Sequence, residues 1–287
     1  MKKRENMAIS KLEKRNYKWI YLFLLPSLLV FLVFITVFYT SLTKWDGFNS
    51  PSFIGFQNYV DMFQNEAFLI SLKNIVLWSL IAGTLHVGFG VLVAFVLYHK
   101  PKGWKFTRTV FMIPNVISAA AWAMIYKFIL NNLIRKINPD FHVQWFYDSP
   151  YAFWAVTFTW LFYSVIVTLV VLNDLMAIPE ELTEAAKVDG ATGWQITRRI
   201  HLPLCRNAIG TGVICSITAR IAMYEQIALT TAGGPGDDTM NLPIILVKSI
   251  QDMKYGYANA NGVIMFILGL VILAVVNKAF KMNESVY

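Results

Sequence analysis

Charged residues are scarce in this chain, and their scarcity limits its class. Asp, Glu, Lys and Arg make up 15% of the 287 residues, whereas hydrophobic residues make up 56%. A soluble domain has about 25% charged and about 45–50% apolar residues. The composition therefore excludes an ordinary soluble domain. The length suits one helical membrane domain and leaves no room for a further large soluble domain.

Cysteine and histidine are also few, which argues against disulfides and metal sites. Cys205 and Cys215 are the two cysteines, and ten residues of helix would separate them. That separation is about 15 Å, which is too far for a disulfide. No pair has the spacing H-x-x-x-H, so we interpret the histidines as isolated polar or packed side chains. They are His86, His99, His142 and His201.

Motifs for catalysis are missing as well. The sequence contains no G-x-x-x-x-G-K-[ST] phosphate loop, so the chain cannot hydrolyse ATP by that route. Paired carboxylates, a zinc motif and a serine–histidine constellation are also missing from the apolar segments. The net charge of +8 comes from basic residues beside those segments, which favours membrane orientation over nucleic-acid binding. We predict no catalytic residue, metal or bound cofactor in this chain.

What the sequence does contain is a set of long apolar stretches. A helix needs about 20 residues to cross a bilayer, and six stretches satisfy this length. The first is too long for the apolar part of a signal peptide, and no small-residue cleavage site follows it, so we expect it to remain as a span. The predicted spans are residues 19–42, 75–98, 109–130, 151–172, 207–228 and 258–280.

Basic residues are distributed unevenly between the connections. Of the 25 Lys and Arg residues, 17 lie in the N-terminal tail, the second and fourth connections and the C-terminus, and 7 lie in the others. Arg220 remains inside a span. The positive-inside rule therefore places both termini and the fourth connection in the cytoplasm. The predicted parts are a basic tail (1–17), a transmembrane domain (18–281) and a cytoplasmic C-terminus (282–287).

The fourth connection, about residues 177–204, has a pattern of helix signals. Pro179 occupies a first helical position, and two glutamates follow it near the positive end of the helix. Gly190 is a natural C-terminal stop, and a second short helix over 194–200 precedes Pro203. These signals predict two helices joined by a glycine and projecting from the membrane. The alternative is an amphipathic helix lying on the membrane surface.

The last outer loop, about residues 229–257, begins with a cluster of turn residues. Gly233, Gly234 and Pro235 lie in a segment that no helix interior would tolerate. An apolar run of about nine residues follows at 242–250 and is too short to span the bilayer. We expect this run to form a re-entrant or interfacial helix.

The fourth connection resembles a known motif. Its order of Glu-Ala-Ala, three residues, Gly, nine residues, Ile, one residue and Leu-Pro resembles the EAA motif of ABC importer permeases. The other matching segments, 21–26, 53–59, 108–114 and 231–235, resemble the carbohydrate-uptake (MalF/UgpA-like) branch, with Ala232 replacing a glycine. The motif positions are Glu184, Ala185, Ala186, Gly190, Ile200, Leu202 and Pro203.

The resemblance implies an all-α type I importer fold with six transmembrane helices and a cytoplasmic coupling helix. It implies a second homologous permease, two ABC ATPase subunits that bind ATP and Mg, and an extracytoplasmic solute-binding protein that delivers a sugar. It also implies a bacterial or archaeal cytoplasmic membrane. An ABC permease for peptides or amino acids is the nearest alternative, followed by an ion-coupled secondary transporter and a membrane-embedded enzyme.

The same resemblance assigns roles to residues. The ATPase contact would involve the seven motif positions together with Asp189, and the binding protein would contact Gly233, Gly234 and Pro235, unless that loop is a plain connection. Saccharides suit surfaces that mix hydroxyls with aromatic rings. The fourth and fifth predicted spans have such surfaces, although hydroxyls also bond their own helix. The predicted substrate path contains Thr159, Trp160, Tyr163, Ser216 and Arg220.

Arg220 is the most informative of these residues. It lies midway along the fifth predicted span, where a charge costs at least about 2.5–3.5 kcal/mol on insertion scales. We expect its side chain to face the bundle interior or a watery cavity. It has three possible partners: a carboxylate such as Glu225 or an acid on the second permease, the hydroxyls of a sugar, or a carboxylate on the substrate.

Overall fold

The computed structural model describes residues 2–137 and 142–282, and most of them are helical. The predicted cytoplasmic C-terminus therefore lies almost wholly outside the described residues. The N-terminal half contains α1 (Lys2–Ser41), strands β1 (Thr43–Lys44) and β2 (Ser52–Phe53), α2 (Gln57–Gln64), α3 (Glu66–Ile81), a π-helical turn (Ala82–His86), α4 (Val87–Tyr98), α5 (Trp104–Met112), a 3₁₀ turn (Ile113–Val116), α6 (Ala119–Lys127), a second π-helical turn (Phe128–Leu133) and α7 (Ile134–Ile137).

The C-terminal half continues the helical pattern with shorter elements. Its elements are α8 (Tyr151–Leu161), α9 (Val165–Ala177), α10 (Glu180–Val188), α11 (Gly193–Ile196), a third π-helical turn (Thr197–His201), α12 (Leu202–Leu204), α13 (Arg206–Ile221), α14 (Glu225–Thr230), α15 (Leu242–Gln251) and α16 (Tyr255–Ala279).

Several of these helices have the length and apolarity of membrane spans. Four pass both tests in the described part of the chain, and a pair bent by 103° between α5 and α6 makes five if it counts as one span. The four are Tyr21–Ser41, Glu66–Tyr98, Tyr151–Ala177 and Tyr255–Ala279. The predicted fifth span, 207–228, is divided between α13 and α14, so the count of six spans stays a prediction. Helix α15 coincides with the short apolar helix expected at 242–250.

The contacts divide the chain into two units. The first unit comprises Met1–Val60 and Ser249–Val263. Within it, β1 pairs antiparallel with β2, and the Asn58 Nδ2 amide donates to the carbonyls of Ser41 (2.8 Å) and Thr43 (2.9 Å). A Cβ at Gly256 would overlap the Thr43 carbonyl oxygen, so only glycine allows this close approach.

The second unit comprises Asp61–Lys248 and Ile264–Tyr287 and contains the larger core. Helices α4, α9 and α13 pack together there through buried aliphatic side chains. A Cβ at Gly90 of α4 would lie 2.8 Å from the Cβ of Val167 on α9, so the glycine lets the two helices approach closely. The Thr168 hydroxyl on α9 uses this proximity to donate to the Gly90 carbonyl at 3.0 Å.

Candidate functional site

The connection after α9 folds as a helix that ends at a glycine. Helix α10 ends in two hydrogen bonds, from Gly190 N–H to the Lys187 carbonyl (3.0 Å) and from Ala191 N–H to the Ala186 carbonyl (2.9 Å). Gly190 has φ +81, which is the left-handed conformation of a Schellman cap. One detail of the prediction is wrong: Pro179 has ψ 131 and precedes the helix instead of forming its first turn.

The second helix of this connection is longer than the predicted 194–200. It begins at Gly193, where Thr192 and Gln195 form a capping box, and it runs through a π-helical turn into α12. Pro203 does not end it. The π-helical turn already shifts the backbone hydrogen bonds of this segment, and Pro203 lies at the start of α12, where a missing N–H costs little.

His201 joins the two helices of the connection to the end of α4. Its side chain is 3% exposed, its Nε2 lies 3.2 Å from the Thr183 hydroxyl of α10, and its ring meets the Tyr98 ring edge-on at 5.4 Å. Burial, together with the charge of His99, lowers the pKa of His201 from its ordinary value, which favours the neutral ring. Interpreting the histidine as a packed residue is correct, but its spacing gave no sign of this linking position.

Most residues of α10 are exposed and open to a partner. Glu184, Ala185, Asp189 and Gly190 are exposed, and α10 has no buried residue. Apolar Val188 is 87% exposed, so it adds apolar area to the exposed surface of α10. The other motif residues lie closer to the protein, with Ala186, Ile200 and Leu202 half-buried and Pro203 exposed.

A second set of features lies within the predicted spans, where several helices are interrupted. The second predicted span contains the π-helical turn Ala82–His86, and the third bends at residues 117–118. The fourth has no regular helix at 162–164, and the fifth has none at 222–224. Non-helical backbone at membrane depth is tolerated where protein buries it or where it lines a water-filled cavity. The breaks are therefore expected to face protein or water and not lipid.

Side chains from neighbouring helices satisfy the backbone groups freed at these breaks. The His86 Nδ1–H donates to the carbonyls of Trp160 (3.1 Å) and Leu161 (3.0 Å), which precede the break in the fourth span. The Asn241 amide donates in the same way to the Met223 carbonyl in the break of the fifth span. Neither residue was recognised from the sequence, because their partners lie far away along the chain.

The third and fourth predicted spans meet through polar and aromatic groups. The Trp122 indole N–H donates to the Thr159 carbonyl at 2.7 Å, and the Tyr163 hydroxyl donates to Asn115 Oδ1 at 2.8 Å. The rings of Trp122 and Tyr163 lie 5.8 Å apart. Asn115 is exposed and Tyr163 is half-buried, so this pair presents neutral hydrogen-bonding groups at the surface of the chain.

Arg220 lies in the last turn of α13 and contacts the fourth span. Its guanidinium carbon is 4.4 Å from the centroid of the Trp160 ring, and Nη1 lies 3.7 Å from the Met223 sulfur. Among the described residues, no carboxylate comes within ion-pair distance of it. Glu225, the carboxylate suggested within this chain, is exposed and does not pair with Arg220.

The remaining residues predicted for the substrate path are more enclosed. The Thr159 hydroxyl donates to the Val156 carbonyl of its own helix at 2.7 Å, and Ser216 is 5% exposed. Trp160 is 3% exposed, and its indole nitrogen has no hydrogen-bond acceptor in the described part of the chain. The membership of these residues in a substrate path stays a prediction.

Hydrogen bonds and close packing fix the shape of the outer turn cluster. Gly233 has φ +97 and is buried, and a Cβ there would lie 2.9 Å from Met240 Cε. A Cβ at Gly234 would meet only the Thr231 carbonyl at 3.5 Å. The Thr239 hydroxyl closes the turn by donating to the Gly234 carbonyl at 2.8 Å. Gly234 is therefore the position at which bulk can be added without disturbing the turn.

Comparison with known proteins identifies the family of this chain. Residues 86–281 match the family described as binding-protein-dependent transport system inner membrane component. The chain is 33% identical over 283 residues to the probable ABC transporter permease protein YurN of Bacillus subtilis, covering 92% of this chain and 97% of that one. It therefore belongs to the family of binding-protein-dependent transport system inner membrane components.

Further relatives and solved structures agree with this assignment. The chain is 30% identical over 279 residues to the trehalose/maltose transport system permease protein MalF of Thermococcus litoralis, covering 93% of this chain and 95% of that one. It resembles a chain of a bacterial alginate ABC transporter, crystallised with a periplasmic protein bound to an alginate pentasaccharide, with a TM-score of 0.74 and 24% identity. That likeness covers 92% of this chain and 94% of the other, and it shows the fold.

Proposed function

We propose that this chain is the permease subunit of an ATP-driven importer that moves an oligosaccharide delivered by an extracytoplasmic binding protein. The observation that supports this most strongly is similarity over nearly the whole chain to permeases named for sugar transport. They include the MalF protein of T. litoralis and the permease AmyD of Thermoanaerobacterium thermosulfurigenes, which is named for transport of starch degradation products. The importer lies in the cytoplasmic membrane of a bacterium or archaeon.

The energy comes from partner subunits. Two ABC ATPases bind ATP and Mg, and α10 inserts into a cleft on one of them. The exposed Glu184 supplies a charge at this contact, and the exposed Val188 supplies apolar area. A cavity of about 650 Å³ beneath α10, lined in part by Lys187 and His201, leaves the helix room to adjust to its partner.

The membrane part works as one half of a pair. The chain crosses the membrane six times and has both termini in the cytoplasm. Helices α13 and α14 together form the fifth span. A second homologous permease completes the path. The interrupted spans line this path because their freed backbone groups need either protein or water as partners. Trp160, Tyr163 and Arg220 lie beside these interruptions, and the substrate path passes them together with Thr159 and Ser216.

The binding protein contacts the outer turn at Gly233, Gly234 and Pro235. The open surface at Gly234 allows close approach of another protein, while the buried Gly233 holds the shape of the turn.

The test is transport by the complete complex. This chain, its permease partner, the ATPases and the binding protein are reconstituted in proteoliposomes, and uptake is measured for panels of oligosaccharides, peptides and amino acids. ATP-dependent uptake of saccharides alone supports the proposal. Uptake of peptides or amino acids instead would replace it with the nearest alternative, and uptake driven by an ion gradient without ATP would reject the ABC mechanism.

A further inference from the structure

Arg220 places a charge where a membrane protein can least accommodate one. It lies inside the predicted fifth span, next to the break at 222–224, and its side chain is half-buried. A cation at this depth is costly, and it usually pairs with a carboxylate or a backbone carbonyl or faces a water-filled path. Its contacts therefore show which of these roles it has.

The described residues give Arg220 a fixed position but no counter-charge. The Trp160 ring, 4.4 Å away, orients the guanidinium by a cation–π contact, and the Met223 sulfur is a weak acceptor at 3.7 Å. Neither group neutralises the charge. A guanidinium has several N–H donors in a planar fork, and these two contacts engage few of them. The arginine is thus held in place and ready to bind an anion.

The third and fourth predicted spans, the fourth of which supplies the Trp160 contact of Arg220, present neutral groups that suit a sugar. Tyr163 and Asn115 present a hydroxyl and an amide at the chain surface, and Trp122 adds an aromatic ring. Such groups satisfy neutral hydroxyls and stack on sugar rings without introducing a charge into the membrane. Unlike these neutral groups, a guanidinium can donate two parallel hydrogen bonds to a carboxylate.

We infer that the oligosaccharide carries carboxylates, as uronate sugars do, and that Arg220 binds a carboxylate of the substrate as it passes. Trp160 is a positioning residue that holds the guanidinium plane. This inference rests on the proposed function, since it names the class of saccharide that the same path transports. Under this inference, Arg220 does not form an ion pair with an acidic residue of the second permease.

The experiment compares one charge change across two matched substrates. Oligogalacturonates and their carboxyl-reduced, neutral counterparts are offered to the complete reconstituted complex with saturating binding protein. Uptake by Arg220→Gln is divided by uptake by the unaltered protein for each substrate, so the preference of the binding protein cancels. Lys102→Gln, which removes a positive charge from an exposed turn outside the spans, is the matched control.

We expect Arg220→Gln to reduce oligogalacturonate uptake by about 10-fold or more, because hydrogen bonds to charged groups are the stronger ones. Uptake of the reduced saccharide should change by less than about 3-fold, because the glutamine amide still offers N–H donors to a neutral hydroxyl. The control should leave both rates unchanged. Arg220→Lys, which keeps the charge but loses the planar fork, should recover part of the oligogalacturonate uptake.

Three results would overturn the inference. The first is an unaltered complex that takes up only neutral saccharides, and the second is an equal loss of both substrates in Arg220→Gln. The third is a failure of both Arg220 variants to assemble with the second permease, which would make the guanidinium a structural group. None of these three results contradicts the proposed function. That function fails separately if the complex takes up no saccharide of either kind.

Discussion

Replacing Gly190 by valine should separate ATP hydrolysis from transport while the membrane domain stays intact. Gly190 has φ +81, and both hydrogen bonds that close the end of α10 depend on this conformation. An L-residue in the left-handed region costs about 1–2 kcal/mol, and a β-branched side chain is a genuine outlier there. A cost of this size reduces the population of the closed helix end by roughly 5- to 30-fold.

The structure provides two controls for this substitution. Gly190→Asn should keep most of the function because asparagine tolerates the left-handed conformation. Gly193→Ala lies in the same connection, where no atom lies within 4 Å of an added Cβ and φ is not positive, so it should have no effect. Added bulk alone is not the cause of harm at Gly190 either, because that position also has open space around it.

The assay measures assembly, ATP hydrolysis and uptake in the same preparation. Gly190→Val should insert in the membrane and pair with the second permease, as judged by co-purification, but it should retain ATPases poorly or fail to couple them. Uptake per ATP hydrolysed should fall well below that of Gly190→Asn. A valine variant that transports as well as the asparagine variant would refute the argument that the left-handed cap matters.

Four further predictions concern the same surfaces. Glu184→Lys should reverse the charge on the exposed face of α10 and abolish assembly or coupling, whereas Glu184→Gln should be milder; normal transport by the lysine variant would remove Glu184 from the ATPase contact. Tyr163→Phe should lose the hydrogen bond to Asn115 and change the uptake rate by about 2- to 10-fold with assembly unchanged; wild-type uptake of every saccharide would exclude its hydroxyl from the path. Gly234→Trp should lower the stimulation of ATP hydrolysis by the binding protein, while Gly234→Ala should not; equal stimulation in both would make the turn a plain connection. The lowered pKa of His201 means that the unfolded connection binds the proton more readily, so docking of α10 is stable above pH 6.5 and weakens as pH falls below that value. Hydrogen exchange of the α10 amides should therefore accelerate at low pH, and His201→Gln should remove most of this dependence.

The sequence alone determined the class of the protein and much of its local structure. Long apolar stretches predicted the spans because the bilayer thickness dictates helix length. Gly190 predicted the end of α10 because only glycine adopts a positive φ without cost. Both effects are local, so neighbouring residues in the sequence are sufficient to predict them. The EAA pattern added the family, which the comparison with known permeases supports.

The tertiary structure decided where the spans break and what surrounds Arg220. Hydropathy averages over a helix, so it could not show the interruptions at 162–164 and 222–224. The sequence suggested Glu225, five residues away, as a partner for Arg220, but the structure places Trp160 there instead. The reason is that a side chain at the end of α13 points towards whichever helix packs beside it. Packing between distant segments determines such contacts, and no local pattern in the sequence records it.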